Sequence, residues 1–150
     1  MLEQKLEQDI KTALLAGDKQ QATSLRTLKS VLLYAKVASG KRDELMADDG
    51  VIALFSKEAK KRQESADLYI RGGSPDRAEA ELVEKKLIEA YLPAQLSAEE
   101  LGKIVDEVVT ATGANSAQDM GMVMGQVKAK VGATADGGTI AKLVKQKLGA

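Results

Sequence analysis

Ser97-Ala98-Glu99-Glu100-Leu101-Gly102-Lys103-Ile104-Val105-Asp106-Glu107-Val108-Val109 is the stretch that decides the fold class. Leu101, Ile104, Val105, Val108 and Val109 recur at i, i+3, i+4, i+7 and i+8, which places them on one face of an α-helix. Ser97, followed three residues later by Glu100, is the reciprocal cap that starts such a helix. Toward the C-terminus, Gly113 stops it and Ser116 with Asp119 caps a further helix over about residues 117–131. A Gly-rich turn over residues 132–138 then leads to a last helix striped by Ile140, Leu143, Val144 and Leu148.

Toward the N-terminus, Tyr91-Leu92-Pro93-Ala94-Gln95-Leu96-Ser97 reads as a hinge, because Pro93 disfavours helical geometry at the residue before it. The helix upstream carries Leu82, Val83, Leu87, Tyr91 and Leu92, with Ser74 as cap and Pro75 at the first helical position. Gly72-Gly73 closes the helix before that, over about residues 51–70, where Val51, Ile52, Phe55, Ala59, Ala66, Tyr69 and Ile70 share a face. Residues 40–50 read as a charged loop or short helical turn before that helix, with a turn signal at Asp48-Asp49-Gly50. Two more helices precede it. One is striped by Leu2, Leu6, Ile10, Ala13 and Leu14. The other, opened by Asp18 and Gln21 as a capping box, carries Leu25, Leu28, Val31, Leu32 and Ala35, with Arg26, Lys29 and Lys36 on another side. The expectation is an all-α protein with an N-terminal four-helix bundle-like subdomain (residues 1–93) and a C-terminal three-helix subdomain (94–150), together one domain.

Composition agrees and narrows the chemistry. Pro is scarce, no alternating run suggests a sheet, and strong helix formers recur throughout. The chain has no Cys and no His, which removes thiol nucleophiles, imidazole bases and the commonest transition-metal ligands. The longest apolar run, Val31 to Ala35, is far too short to span a membrane, and Met1-Leu2-Glu3-Gln4-Lys5 does not open a secretion signal; a cytoplasmic protein is expected. Lys plus Arg and Asp plus Glu both number 22, so net charge draws the molecule toward no partner.

No motif suggests catalysis. Ser39-Gly40-Lys41-Arg42 fails as a phosphate loop, with Ala35 in place of the first Gly and Arg42 in place of the Ser or Thr. The serines read as caps and surface residues, with Ser74, Ser97 and Ser116 in capping positions, and no partner is placed to activate one. Gly121 and Gly125, one turn apart, read as a packing face, and Met120, Met122 and Met124 as core filling. Lys57, Lys60 and Lys61 alternate with Glu58 and Glu64 as a solvated face. Arg62 falls among apolar residues, so it needs carboxylates; Glu81 or Glu84 of the next helix supplies a structural ion pair. From Met120 onward, Lys128, Lys130, Lys142, Lys145 and Lys147 face Asp136 alone. The turn from Gly132 to Gly138 leads into a helix N-terminus, which suits a phosphate, although Asp136 as cap would occupy part of that site.

Lys61-Arg62, Glu81, Glu84 and Tyr91-Leu92-Pro93-Ala94-Gln95-Leu96-Ser97, followed by Asp119-Met120-Gly121-Met122-Val123-Met124-Gly125-Gln126-Val127, Gly132 and Ala135-Asp136-Gly137, resemble the GatB/YqeY family over nearly the full chain. That family is similar to the tail domain of the GatB subunit of the tRNA-dependent amidotransferase. The resemblance implies tRNA recognition without chemistry of its own, since the enzyme's ATP-using and glutaminase sites lie elsewhere. It points to Gly125, Gln126, Lys128, Lys130, Gly132, Lys142 and Lys145 as the nucleic-acid-binding residues, with no catalytic, cofactor or metal residues. The function expected is a non-catalytic accessory tRNA-binding module related to tRNA-dependent amidation. The alternatives are a protein-interaction module in an amidotransferase or aminoacyl-tRNA synthetase assembly, and a carbon–nitrogen ligase using glutamine as amido donor. Expected partners are accordingly tRNA and a component of such an assembly.

Overall fold

The computed structural model describes residues 1–149, and within them every regular element is helical: α1 (Leu2–Leu15), α2 (Lys19–Ala38), α3 (Asp48–Arg71), α4 (Pro75–Glu89), α5 (Ala98–Thr112), α6 (Met120–Val131) and α7 (Gly137–Lys147), with short 3-10 turns at Ala117–Asp119 and Gly132–Thr134. Among the described residues no helix is long and apolar enough to cross a membrane. The chain divides into two compact units, Met1–Leu92 and Pro93–Ala150.

In the first unit, α1 and α2 form a hairpin whose inner faces bury Leu6, Ile10, Ala13, Ala22, Leu25, Leu28 and Leu32 against Val51, Phe55 and Ala59 of α3 and Ile88 and Tyr91 at the end of α4. The four helices do not share this core along their whole length. Beyond Ala59 the α3–α4 pair buries only Ala66 and Ala78, while Leu68, Ile70, Leu82 and Val83 stay exposed. The predicted apolar face of α4 is therefore turned partly to solvent, because two alanines let the helices approach without drawing Leu82 or Val83 inward.

The start of α3 also differs from expectation. Asp48, Asp49 and Gly50 form the first turn of α3 itself, not a loop or separate turn ahead of it. The two carboxylates favour the positive end of the helix dipole, and the Asp48 carboxylate accepts the Leu2 N–H at 2.8 Å. A Cβ on Gly50 would stand 3.0 Å from Cγ of Met46, so any larger residue there would press that flexible side chain aside. Asp18 accepts from the Gln21 N–H at 3.0 Å, a one-sided cap in place of the box. Ser74 precedes Pro75 without making a side-chain capping bond.

The second unit packs α5, α6 and α7 around Leu101, Val105, Val108, Val123, Val127, Val131, Ile140, Val144 and Leu148. The capping box of Ser97 and Glu100 opens α5. Ser116 and Asp119 form another at the 3-10 turn, so the α-helical part of the sixth element begins only at Met120. Within this unit the Leu96 N–H donates to the Thr134 carbonyl at 2.8 Å, and the Gln95 amide donates to the Ala133 carbonyl at 2.9 Å. The segment after Pro93 is thereby tied to the turn between α6 and α7.

Candidate nucleic-acid interface

Val123, Val127 and Val131 recur every fourth residue of α6 and fix its buried face. Helical geometry then sends Lys128 and Lys130 to opposite flanks of that face. Lys130 turns to α5, with its ammonium 3.8 Å from the Glu107 carboxylate, and Lys147 of α7 reaches Asp106 at 2.6 Å. The acidic helix thus engages two of the five lysines in this section. Their pairing is set by how α5 packs against its neighbours, which no local spacing reveals.

Lys142 and Lys145 lie one turn apart on α7, opposite the buried Ile140 and Val144. Both are exposed, and neither makes an ion pair among the described residues. Lys128 runs along the start of α7: its Cε and Nζ lie 3.6 and 3.7 Å from the place a Cβ of Gly137 would occupy. Gly125 and Gln126 are exposed on the side of α6 away from the core. Gly132 ends that helix at φ 55°, a backbone region that glycine enters without strain.

Gly121 and Gly125 do not pack against another part of the chain. A Cβ at either would meet nothing within 4 Å, and Met122 between them is 47% exposed. The expectation of a packing face is corrected here: α5 and α7 cover the valine face, leaving the glycine side open. The helix carries two glycines, each costing about 1 kcal/mol relative to alanine, and no contact among the described residues uses the space they leave.

The N-terminus of α7 is already capped. Asp136 accepts from the Gly138 N–H at 2.9 Å and the Thr139 N–H at 3.1 Å, and the Thr139 hydroxyl donates to its other oxygen. The donors that a phosphate would use are thus filled by the protein's own carboxylate.

In the first unit, Arg62 Nη1 lies 3.2 Å from Glu81 and 3.2 Å from Glu84, while Nη2 lies 3.2 Å from Glu58. Glu58, expected on a solvated face with the lysines, is instead buried and pairs with Arg62 four residues on along the same helix, a spacing that joins opposite charges. Burial works against the charge on Arg62, but Glu81, Glu84 and Glu58 outweigh it and hold the guanidinium more firmly protonated. The Ser24 hydroxyl donates to Glu84 at 3.4 Å, joining α2 to the cluster.

A family model described as Yqey-like protein matches residues 3–148. Altered inheritance of mitochondria protein 41, mitochondrial, of Eremothecium gossypii is 34% identical over 103 residues, which cover 67% of this chain and 55% of that protein. The chain spans about half the length of this curated relative. With the family match running across nearly all of both helical units, the chain belongs to the YqeY-like protein family.

Proposed function

We propose that this protein is a non-catalytic accessory module for tRNA-dependent amidation, which touches tRNA through the outer sides of α6 and α7. The observation that carries the reading is the pair Lys142 and Lys145, exposed and without carboxylate partners among the described residues, in a unit where Lys130 and Lys147 are paired. On α6, the open side at Gly121 and Gly125 lets a sugar-phosphate backbone approach the helix closely. The contacts are few, so unaided binding is weak and falls steeply with salt. A tethered partner raises it through effective concentration.

The test is a titration of the full chain with total tRNA at about 50 and about 200 mM salt. Wild type is compared with Lys128→Ala/Lys142→Ala/Lys145→Ala and with Lys130→Ala/Lys147→Ala. Binding should weaken with salt and be lost in the first variant, and fall less in the second, whose ammoniums already face carboxylates. Undetectable binding of wild type at the lower salt ends the reading.

A second reading, a protein-interaction module, is favoured by Leu68, Ile70, Leu82 and Val83, which stay exposed on the α3–α4 pair. Large exposed apolar side chains mark contact surfaces. Binding of that kind depends little on salt.

A further inference from the structure

Between Asp18 and Asp43 the chain carries six basic residues and no acidic one, and α2 makes up most of that stretch. The fold sorts these cations into two groups. Lys36 is buried with its ammonium 2.6 Å from Glu3, Lys29 reaches Glu7 at 2.8 Å, and Lys41 lies 3.9 Å from Glu44. Lys19, Arg26 and Arg42 make no ion pair among the described residues. Lys11 of α1 is likewise without one, and it lines with Arg26, Ile10, Lys29 and Glu7, the partner of Lys29, an open groove between the two helices.

Arg26, Ser30 and Tyr34 follow one another at i, i+4 and i+8 along α2, a ridge about 12 Å long on the side away from Leu25, Leu28 and Leu32. Tyr34 at its end is 77% exposed. The chain has three tyrosines and one phenylalanine; Phe55 and Tyr91 are buried edge to face in the core. An aromatic ring left bare on the most basic helix, in line with an unpaired guanidinium, is the combination that single-stranded nucleic acid uses: a π-face for a base and planar or point cations for phosphates.

We propose that this outer side of α2 is a second RNA contact, which takes unpaired nucleotides, with Tyr34 stacked on a base and Arg26 and Lys11 on phosphates further along the same strand. The proposal rests on the reading of the protein as an RNA-binding module but assigns a contact to the other unit. Unpaired nucleotides are specified because a stacking ring needs a base free of its helix; a duplex would engage the cations and leave Tyr34 idle. An acidic protein partner would need Arg26 and Lys11 but not the planar face of Tyr34.

The experiment titrates the full chain with total tRNA and with an oligouridylate of about 20 nucleotides, which has no helix of its own. The proteins are wild type, Tyr34→Ala, Tyr34→Phe and Lys11→Ala/Arg26→Ala, with circular dichroism melts showing that each is folded. Tyr34→Ala should weaken both probes on the order of tenfold, and Tyr34→Phe should bind as wild type because the ring is kept. The double variant should reduce the slope of log affinity against log salt by about two. Wild-type affinity and salt slope in both Tyr34→Ala and the double variant would overturn the proposal. If the α6–α7 lysine variant loses tRNA binding in that same series, the α2 contact alone falls. Wild type that binds neither probe removes both readings.

Discussion

The phenol of Tyr91 donates a hydrogen bond to the carboxylate of Asp9, 82 positions earlier in the chain. Lys5 completes the group, its ammonium 2.7 Å from Asp9 and 4.6 Å from the centre of the Tyr91 ring. The end of α4 is thereby locked to the first helix, directly beside the Phe55 ring, whose centre is 5.7 Å from that of Tyr91.

Removing this hydroxyl in Tyr91→Phe should cost about 1 kcal/mol of unfolding free energy, the worth of a hydrogen bond to a charged acceptor less what exposure screens. The pH profile identifies it. Burial opposes the Asp9 carboxylate, but its bonds to Lys5 and Tyr91 hold it below its ordinary value, so that stabilisation is present above about pH 4 and lost as pH falls through the lowered value. Burial and then Asp9 push the Tyr91 phenol well up, so stability also falls above about pH 10, where the unfolded chain ionises first. Urea unfolding across both ranges should show the two limbs flattened in Tyr91→Phe.

Arg62→Met should destabilise by about 2 kcal/mol at neutral pH, less than a fully buried pair would lose because the cluster is partly exposed. Glu58, Glu81 and Glu84 would then repel one another with no cation between them. Salt screens that repulsion, so the deficit relative to wild type should shrink as ionic strength rises, and paired urea titrations at low and high salt measure it.

Gly121→Ala and Gly125→Ala should each stabilise the protein, by up to about 1 kcal/mol, since both glycines lie in a helix and an added methyl meets only open space. Thermal melts check this. In the tRNA titration the double variant should bind more weakly despite its higher melting temperature, which separates a contact role from a folding role.

Ser97→Ala should cost about 1 kcal/mol by removing one half of the capping box. The Ser97 backbone and hydroxyl also hold the Glu100 carboxyl below the usual range, so part of the loss appears only above that range. Amide exchange in the first turn of α5 reads it directly.

The helices were legible where periodicity and caps agreed, and α5 is the clearest instance: its apolar spacing, Ser97 and Glu100 all name the same residues. The start of α3 reads three residues late, because Asp48-Asp49-Gly50 has the composition of a turn, and the Leu2 N–H that bonds Asp48 comes from a distant part of the chain. Leu82 and Val83 have helical spacing, yet spacing cannot reveal that α3 and α4 meet through alanines. In the candidate site, the basic character of α6 and α7 could be read directly, while the loss of Lys130 and Lys147 to Glu107 and Asp106 depends on packing between helices. The acid-free run after Asp18 was in plain view, but burial of Lys36 and exposure of Tyr34 are what turn it from a count of charges into a surface.

The contrast between Tyr34 and Tyr91 also makes the protein its own optical probe. There is no tryptophan, so ultraviolet emission comes from tyrosine alone. A phenol hydrogen-bonded to a carboxylate, as Tyr91 is to Asp9, emits poorly, because the excited ring passes its proton to the acceptor. The light that remains comes from Tyr34 and Tyr69, so in a Tyr69→Phe variant an event on α2 registers in the native fluorescence without any dye being attached.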